Sequence, residues 1–212
     1  MDQSPPTPAP ALRPGAVAPA FRARTTLGER ALADYRGRWL VFFSHPADFT
    51  PVCTSEFVTL SRRAPEFAAL NCDLLGLSVD SLFAHLAWVV SIEEHFGVRV
   101  PFPIVEDPSM AIATAYGMTG PGAPDASTVR ATFFIDPAGI VRAMTWYPMT
   151  NGRSVDEMLR LLAALQETDR SGASTPEGWT PGQPPVAPAP VNLEEVRGRT
   201  GTGPWYLQEL RP

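Results

Sequence analysis

Six consecutive residues, Trp39-Leu40-Val41-Phe42-Phe43-Ser44, are apolar up to the last, which reads as a single strand buried on both faces. After a short loop, apolar residues at Phe57, Leu60, Ala64, Phe67 and Ala68 carry the spacing of a helix. Thr50 suits the N-cap of that helix, and Pro51 its first position, where the missing N–H costs nothing. Cys53 then falls in the first turn, at the positive end of the helix dipole, where a thiolate is favoured over a thiol. The chain is thus organised around a buried strand that feeds a cysteine-bearing helix start.

The remaining segments fit around that unit. Phe21–Thr25 suits a peripheral strand, and residues 33–37 a turn into the strand at Trp39. Asp73 to Val79 predicts a second buried strand, and Pro65 in the preceding helix predicts a kink or a lost hydrogen bond. Ser81 fits an N-cap for a helix running to about Phe96 and closed by Gly97. Pro101 to Val105 is extended, Pro108 to Tyr116 a short helix, and Gly117 to Thr128 a loop. Arg130–Asp136 and Ile140–Trp146 form a hairpin across Pro137-Ala138-Gly139. A last long helix begins at Ser154, with Glu157 completing a capping box, and its apolar face holds Met158, Leu159, Leu161, Leu162 and Leu165. Strand–helix alternation with one hairpin implies an α/β class, a mixed sheet with helices on its faces.

Both ends differ in composition. Residues 1–14 are proline-rich and read as a flexible N-terminal arm, residues 15–170 as the domain, and residues 171–212 as a C-terminal arm with a short helix near 191–199. The net charge of −5, with all 17 basic residues arginine and no basic cluster, excludes a nucleic-acid surface. No apolar stretch reaches the roughly 18 residues of a membrane span. No secretory signal is legible, and two cysteines do not make a disulfide framework, so a reducing, cytoplasmic setting is expected. No His/Cys spacing suggests a zinc site. His85 and His95, on a helix away from the cysteine loop, are expected to be solvated. Cys72 is expected to behave as a small buried apolar side chain.

P-A-D-F-T-P-V-C at Pro46–Cys53 resembles the active-site loop of the peroxiredoxins, Pro-x-x-x-Thr-x-x-Cys. His45 before it, and Thr54 and Glu56 after it, are similar to the branch called one-cysteine peroxiredoxins. V-R-A-T-F-F-I-D at Val129–Asp136 and Y-P-M-T-N-G-R at Tyr147–Arg153 extend the resemblance, which runs over roughly residues 15–205. It implies a thioredoxin-like fold and a thiol peroxidase acting on hydrogen peroxide and organic hydroperoxides. It also implies no cofactor, and a homodimer or larger oligomer in which the C-terminal arm packs on the partner subunit. Trp179, Trp205 and Tyr206 are the apolar anchors expected for that packing.

By the same resemblance Cys53 is the nucleophile that becomes a sulfenic acid, Thr50 orients the peroxide and Pro46 shields the sulfur. Arg130 stabilises the thiolate and the departing oxygen, Arg153 is a second pocket arginine, and Glu56 holds an arginine in place. His45 contacts substrate or sulfur, or is structural. Trp205-Tyr206-Leu207 stands where some relatives carry a resolving cysteine, so an external thiol is expected to reduce Cys53. Arg38 occupies the place of a serine linked in mammalian relatives to phospholipase activity, which is therefore not carried over. A thioredoxin-type oxidoreductase would need Cys-x-x-Cys, and Thr50 occupies the first of those positions. A holdase or redox-sensing partner on the same scaffold is the non-catalytic alternative.

Overall fold

The computed structural model describes residues 12–119, 127–199 and 203–210. Most of the proline-rich N-terminal arm and the middle of the 117–128 loop lie outside the described residues. The chain divides into two compact units, one up to Arg153 and one from Ser154 onward.

The first unit is built on seven strands: β1 (Arg22–Thr25), β2 (Gly28–Ala31), β3 (Trp39–Ser44), β4 (Cys72–Ser78), β5 (Ile104–Glu106), β6 (Arg130–Ile135) and β7 (Val141–Tyr147). Their order in the sheet is β2-β1-β5-β4-β3-β6-β7. β3, β4 and β5 run parallel to one another, with Trp39 opposite Cys72 and Gly76 opposite Ile104. β6 and β7 continue antiparallel on one side, and β1 and β2 on the other. The parallel strands are joined through α1 (Pro51–Ala69) and α2 (Leu82–Phe96), and α3 (Ala111–Ala115) follows β5.

β3 is buried along its whole length, as the W-L-V-F-F-S run predicts. Successive side chains go to opposite faces. Leu40 and Phe42 join a core with Leu75, Leu77, Tyr116 and Phe133, and the Phe42 and Tyr116 rings meet edge to face at 4.9 Å. Phe43 lies on the other face, against Phe57 of α1 and Phe102. At Gly76 of β4 a Cβ would stand 3.2 Å from the Phe57 ring, so the glycine lets α1 lie close on the sheet.

Most expected boundaries hold. Ser81 caps α2 by accepting from Ala84 N, and Gly97 closes it in the left-handed region at φ 63°. Pro65 lies inside α1, which remains one helix from Pro51 to Ala69. β2 escaped the sequence reading: it is four residues long, has two exposed positions and carries no periodic signal.

The second unit opens with α4 (Val155–Ser171) and includes α5 (Leu193–Gly198). Ser154 caps α4 by accepting from Glu157 N, but the Glu157 carboxylate pairs with Arg160 instead, so only half of the expected capping box forms. The segment after α4 is tied by bridges from Val186 to Ser174 and to Glu209. Trp179 is buried, its indole donating to Gln183 O, and so is no free anchor for another subunit, whereas Trp205 and Tyr206 are exposed. Among the described residues, no helix is long and apolar enough to cross a membrane.

Candidate active site

The carboxyl end of β3 delivers the chain into the loop His45–Thr50, and α1 begins at Pro51. Such strand ends, opening onto helix N-termini, are where parallel sheets place their ligands. Thr50 is the N-cap residue, with extended backbone at φ −99°, but its side chain does not cap: Oγ1 donates to Ala47 O at 2.8 Å. The hydroxyl hydrogen is thereby committed inside the loop, and the oxygen lone pairs remain as acceptors. Phe49, just before it, adopts φ 56°, in the left-handed region that favours glycine. Pro46, in the same loop, is buried.

Cys53 is fully buried in the first turn of α1. Nη1 of Arg130, at the start of β6, donates to its Sγ at 3.3 Å. The same nitrogen donates to Glu56 Oε2 at 2.9 Å, and Arg130 Nε donates to Met149 O. Glu56 lies one turn along α1 and is bound more fully by Arg153, through Nε and the backbone N to Oε1 and Nη2 to Oε2, at 2.7 to 2.9 Å. Burial opposes ionisation of Glu56, but the hydrogen bonds and charge of Arg153, joined by the charge of Arg130, outweigh it and hold the carboxyl below its usual range. Two guanidinium groups and one carboxylate leave a single positive charge in a buried cluster beside Cys53.

The structure brings Cys53, Arg130, Glu56 and Arg153 into one chain of contacts. Arg153 stands one step behind the sulfur, bonded to Glu56, Ala131 O and the Thr132 hydroxyl, with its guanidinium over the Phe43 ring. His45 is fully buried between Phe57 and Trp88, its Nε2 bonded to Asp48 at 2.8 Å and its Nδ1 without a partner. Burial pushes its pKa down, against the pull of Asp48.

His85 corrects the expectation of a solvated side chain. It is fully buried, with Nδ1 2.7 Å from Asp48 and Nε2 3.2 Å from Val105 O. His85, Trp88 and Ile92 are the buried residues of α2, at helical spacing, so a signal for its inward position was present in the sequence. His95 is exposed, as expected. Cys72 opens β4, buried, and burial pushes its thiol up to about 12.

A buried sulfur at a helix N-terminus, in contact with an arginine that a carboxylate aims, is an arrangement suited to a nucleophilic thiol. Comparison with known proteins gives its lineage. Residues 14–144 match the AhpC/TSA family, and residues 164–203 match the C-terminal domain of 1-Cys peroxiredoxin. A peroxiredoxin of Aquifex aeolicus is 46% identical over 211 residues, covering 92% of this chain and 95% of that protein. The yeast mitochondrial 1-Cys peroxiredoxin superposes with a TM-score of 0.84 at 38% identity, covering 93% of this chain and 98% of the other. Peroxiredoxin 6 of Arenicola marina gives 0.81 at 32% identity, with 88% of each chain covered. The chain belongs to the AhpC/TSA family of peroxiredoxins and is of the one-cysteine type, with a thioredoxin-like fold. Its activity is that of a thiol-dependent peroxidase.

Proposed function

We propose that Cys53 is the peroxidatic nucleophile and that hydrogen peroxide and organic hydroperoxides are its substrates. The observation that carries this reading is the 3.3 Å contact between Arg130 Nη1 and Cys53 Sγ, beside a buried cluster in which two guanidinium groups share one carboxylate. The thiolate attacks one peroxide oxygen. An S–O bond forms, the O–O bond breaks, and the sulfur is oxidised by two electrons to a sulfenic acid. The departing oxygen leaves as hydroxide or alkoxide and takes up a proton. Arg130 stabilises the charge that develops there. Thr50, whose hydrogen is already donated to Ala47 O, accepts from the peroxide O–H and orients it, while Pro46 keeps water from the sulfur. Glu56 and Arg153 act by fixing Arg130.

The sulfenic acid is resolved by an external thiol. That thiol condenses with it to a mixed disulfide and water, and a second thiol releases Cys53. Cys72 does not supply the resolving sulfur, because it is buried at the start of a central strand with its thiol held protonated. The yeast relative, whose thiol is resolved through glutathione/thioredoxin systems, supports the same division of labour here. We further propose a cytoplasmic homodimer in which the arm from about residue 171, with Trp205 and Tyr206 exposed, meets the partner. Peroxide consumption with a generic dithiol tests the reading. Turnover is expected in the wild type and lost in Cys53→Ser, and turnover surviving in that variant would refute it.

A further inference from the structure

Asp48 and His85 have no part in the chemistry above, yet the loop that carries Pro46 and Thr50 is fastened through them. Asp48 is bonded through both carboxylate oxygens and its backbone N–H. Oδ1 takes His45 Nε2 at 2.8 Å, Oδ2 takes His85 Nδ1 at 2.7 Å, and its backbone N–H donates to Asp80 Oδ2 at 2.9 Å. Asp80 also accepts from the Ser78 hydroxyl at the end of β4, so the far anchor is itself held. Both histidines are fully buried and Asp48 nearly so. A ring nitrogen facing a carboxylate carries a hydrogen, so His45 donates to Asp48 through Nε2 and His85 through Nδ1, while His85 Nε2 faces the Val105 carbonyl at 3.2 Å.

The three residues are of types that could hold a metal ion. Their spacings are those of N–H to carboxylate hydrogen bonds, which satisfy both carboxylate oxygens without an ion. The cluster works instead as a clamp. Phe49, next to Asp48, is in the left-handed region, and a non-glycine residue persists there only when its surroundings over-determine it. On its other side Thr50 is turned inward onto Ala47 O. His85 lies in the first turn and a half of α2, so the clamp ties the loop to a helix whose N-terminus is fixed by Ser81 and, through Leu82 N, by Glu106.

We propose that Asp48 and His85 are positioning residues of the peroxidase reaction: the Asp48 carboxylate, gripped by His45 and by His85 of α2, holds the Pro46–Thr50 loop in the conformation that presents Thr50 to the hydroperoxide. The proposal rests on the reading of Cys53 as the peroxidatic nucleophile. It separates two properties of the site. Arg130, Glu56 and the helix start act on the sulfur without passing through Asp48, whereas alignment of the peroxide depends on the loop.

The test compares two second-order rates in the full-length chain at one pH. One is loss of the Cys53 thiol with hydrogen peroxide, and the other is its alkylation by iodoacetamide, a neutral reagent that needs no peroxide alignment. In His85→Ala and Asp48→Asn the peroxide rate is expected to fall by on the order of 10- to 100-fold, the scale of a misaligned reactant, while the alkylation rate is retained. His85→Gln, whose amide can still donate to Asp48, should recover part of the peroxide rate. The double variant Asp48→Asn/His85→Ala should be no slower than the slower single variant, because both break one clamp. If His85→Ala does not fold, His85→Gln against Asp48→Asn carries the same comparison. Peroxide rates equal to wild type, parallel loss of both rates, or additive single effects would overturn the proposal. A wild-type chain that fails to react with peroxide while Cys53 alkylates would overturn the peroxidatic reading itself.

Discussion

Nη1 of Arg130 lies 3.3 Å from Cys53 Sγ and also 2.9 Å from Glu56 Oε2, so the nitrogen that touches the sulfur is the one the carboxylate aims. Arg130→Ala should therefore lower the peroxide rate by on the order of 100-fold or more, the cost of removing one donor from a developing oxyanion. Alkylation of Cys53 should fall by less, since no charged oxygen departs in that reaction. Equal losses would mean that Arg130 acts only by keeping the sulfur anionic.

Glu56→Gln removes the one carboxylate between two buried guanidinium groups. Breaking such a cluster from one side is expected to cost about 3–5 kcal/mol of stability. Thermal unfolding followed by circular dichroism should show a midpoint well below wild type, with peroxide turnover reduced because Arg130 loses its aim. A midpoint within a degree or so of wild type would place the ionic cluster outside the stability of the fold.

Acid should destabilise the protein in two stages. His45 titrates below its ordinary value of 6.5 because burial outweighs the pull of Asp48, so its contribution is present at neutral pH. That contribution is lost as pH falls below 6.5 and through the depressed folded value, since only the unfolded chain takes up the proton. Asp48 and Glu56 are also held below their ordinary 3.8 and 4.5: burial works against this, and the bonds from the two histidines and from the arginines prevail. Their contribution is present above those values and lost as pH falls through the lower folded ones. The unfolding midpoint should decline gently below pH 6.5 and more steeply below 4.5. A flat profile between neutrality and pH 4 would contradict this account.

Cys72→Ala should leave turnover with an external thiol unchanged and cost about 1 kcal/mol, as for an ordinary small core truncation. Cys72 is a packing residue of β4, paired across the sheet with Trp39. Loss of peroxidase activity with the fold intact would assign it a chemical role.

Much of this architecture was legible because local signals and tertiary packing agree. The W-L-V-F-F-S run is β3 residue for residue, and Ser81 and Gly97 bracket α2 as their chemistry requires. Thr50 marked the start of α1 correctly, but its hydroxyl serves the loop rather than the helix, a choice between two nearby acceptors that composition does not encode. Glu56 and Arg153 were legible only through family resemblance, because their meeting needs α1 and the segment that follows β7 to converge. The Asp48–His85 bond joins residues 37 apart through the parallel order of β3, β4 and β5. Its only sequence trace was the position of a histidine on the same helical face as Trp88 and Ile92.

On the proposed mechanism Cys53 alone carries the reaction, and no second cysteine of this chain resolves it. Intact mass and non-reducing electrophoresis after one equivalent of hydrogen peroxide test this most directly. A gain of one oxygen on Cys53 is expected, converted by an added small thiol into a mixed disulfide with that thiol, with both products absent from Cys53→Ser. A Cys53–Cys72 disulfide formed in high yield, within or between chains, would contradict it.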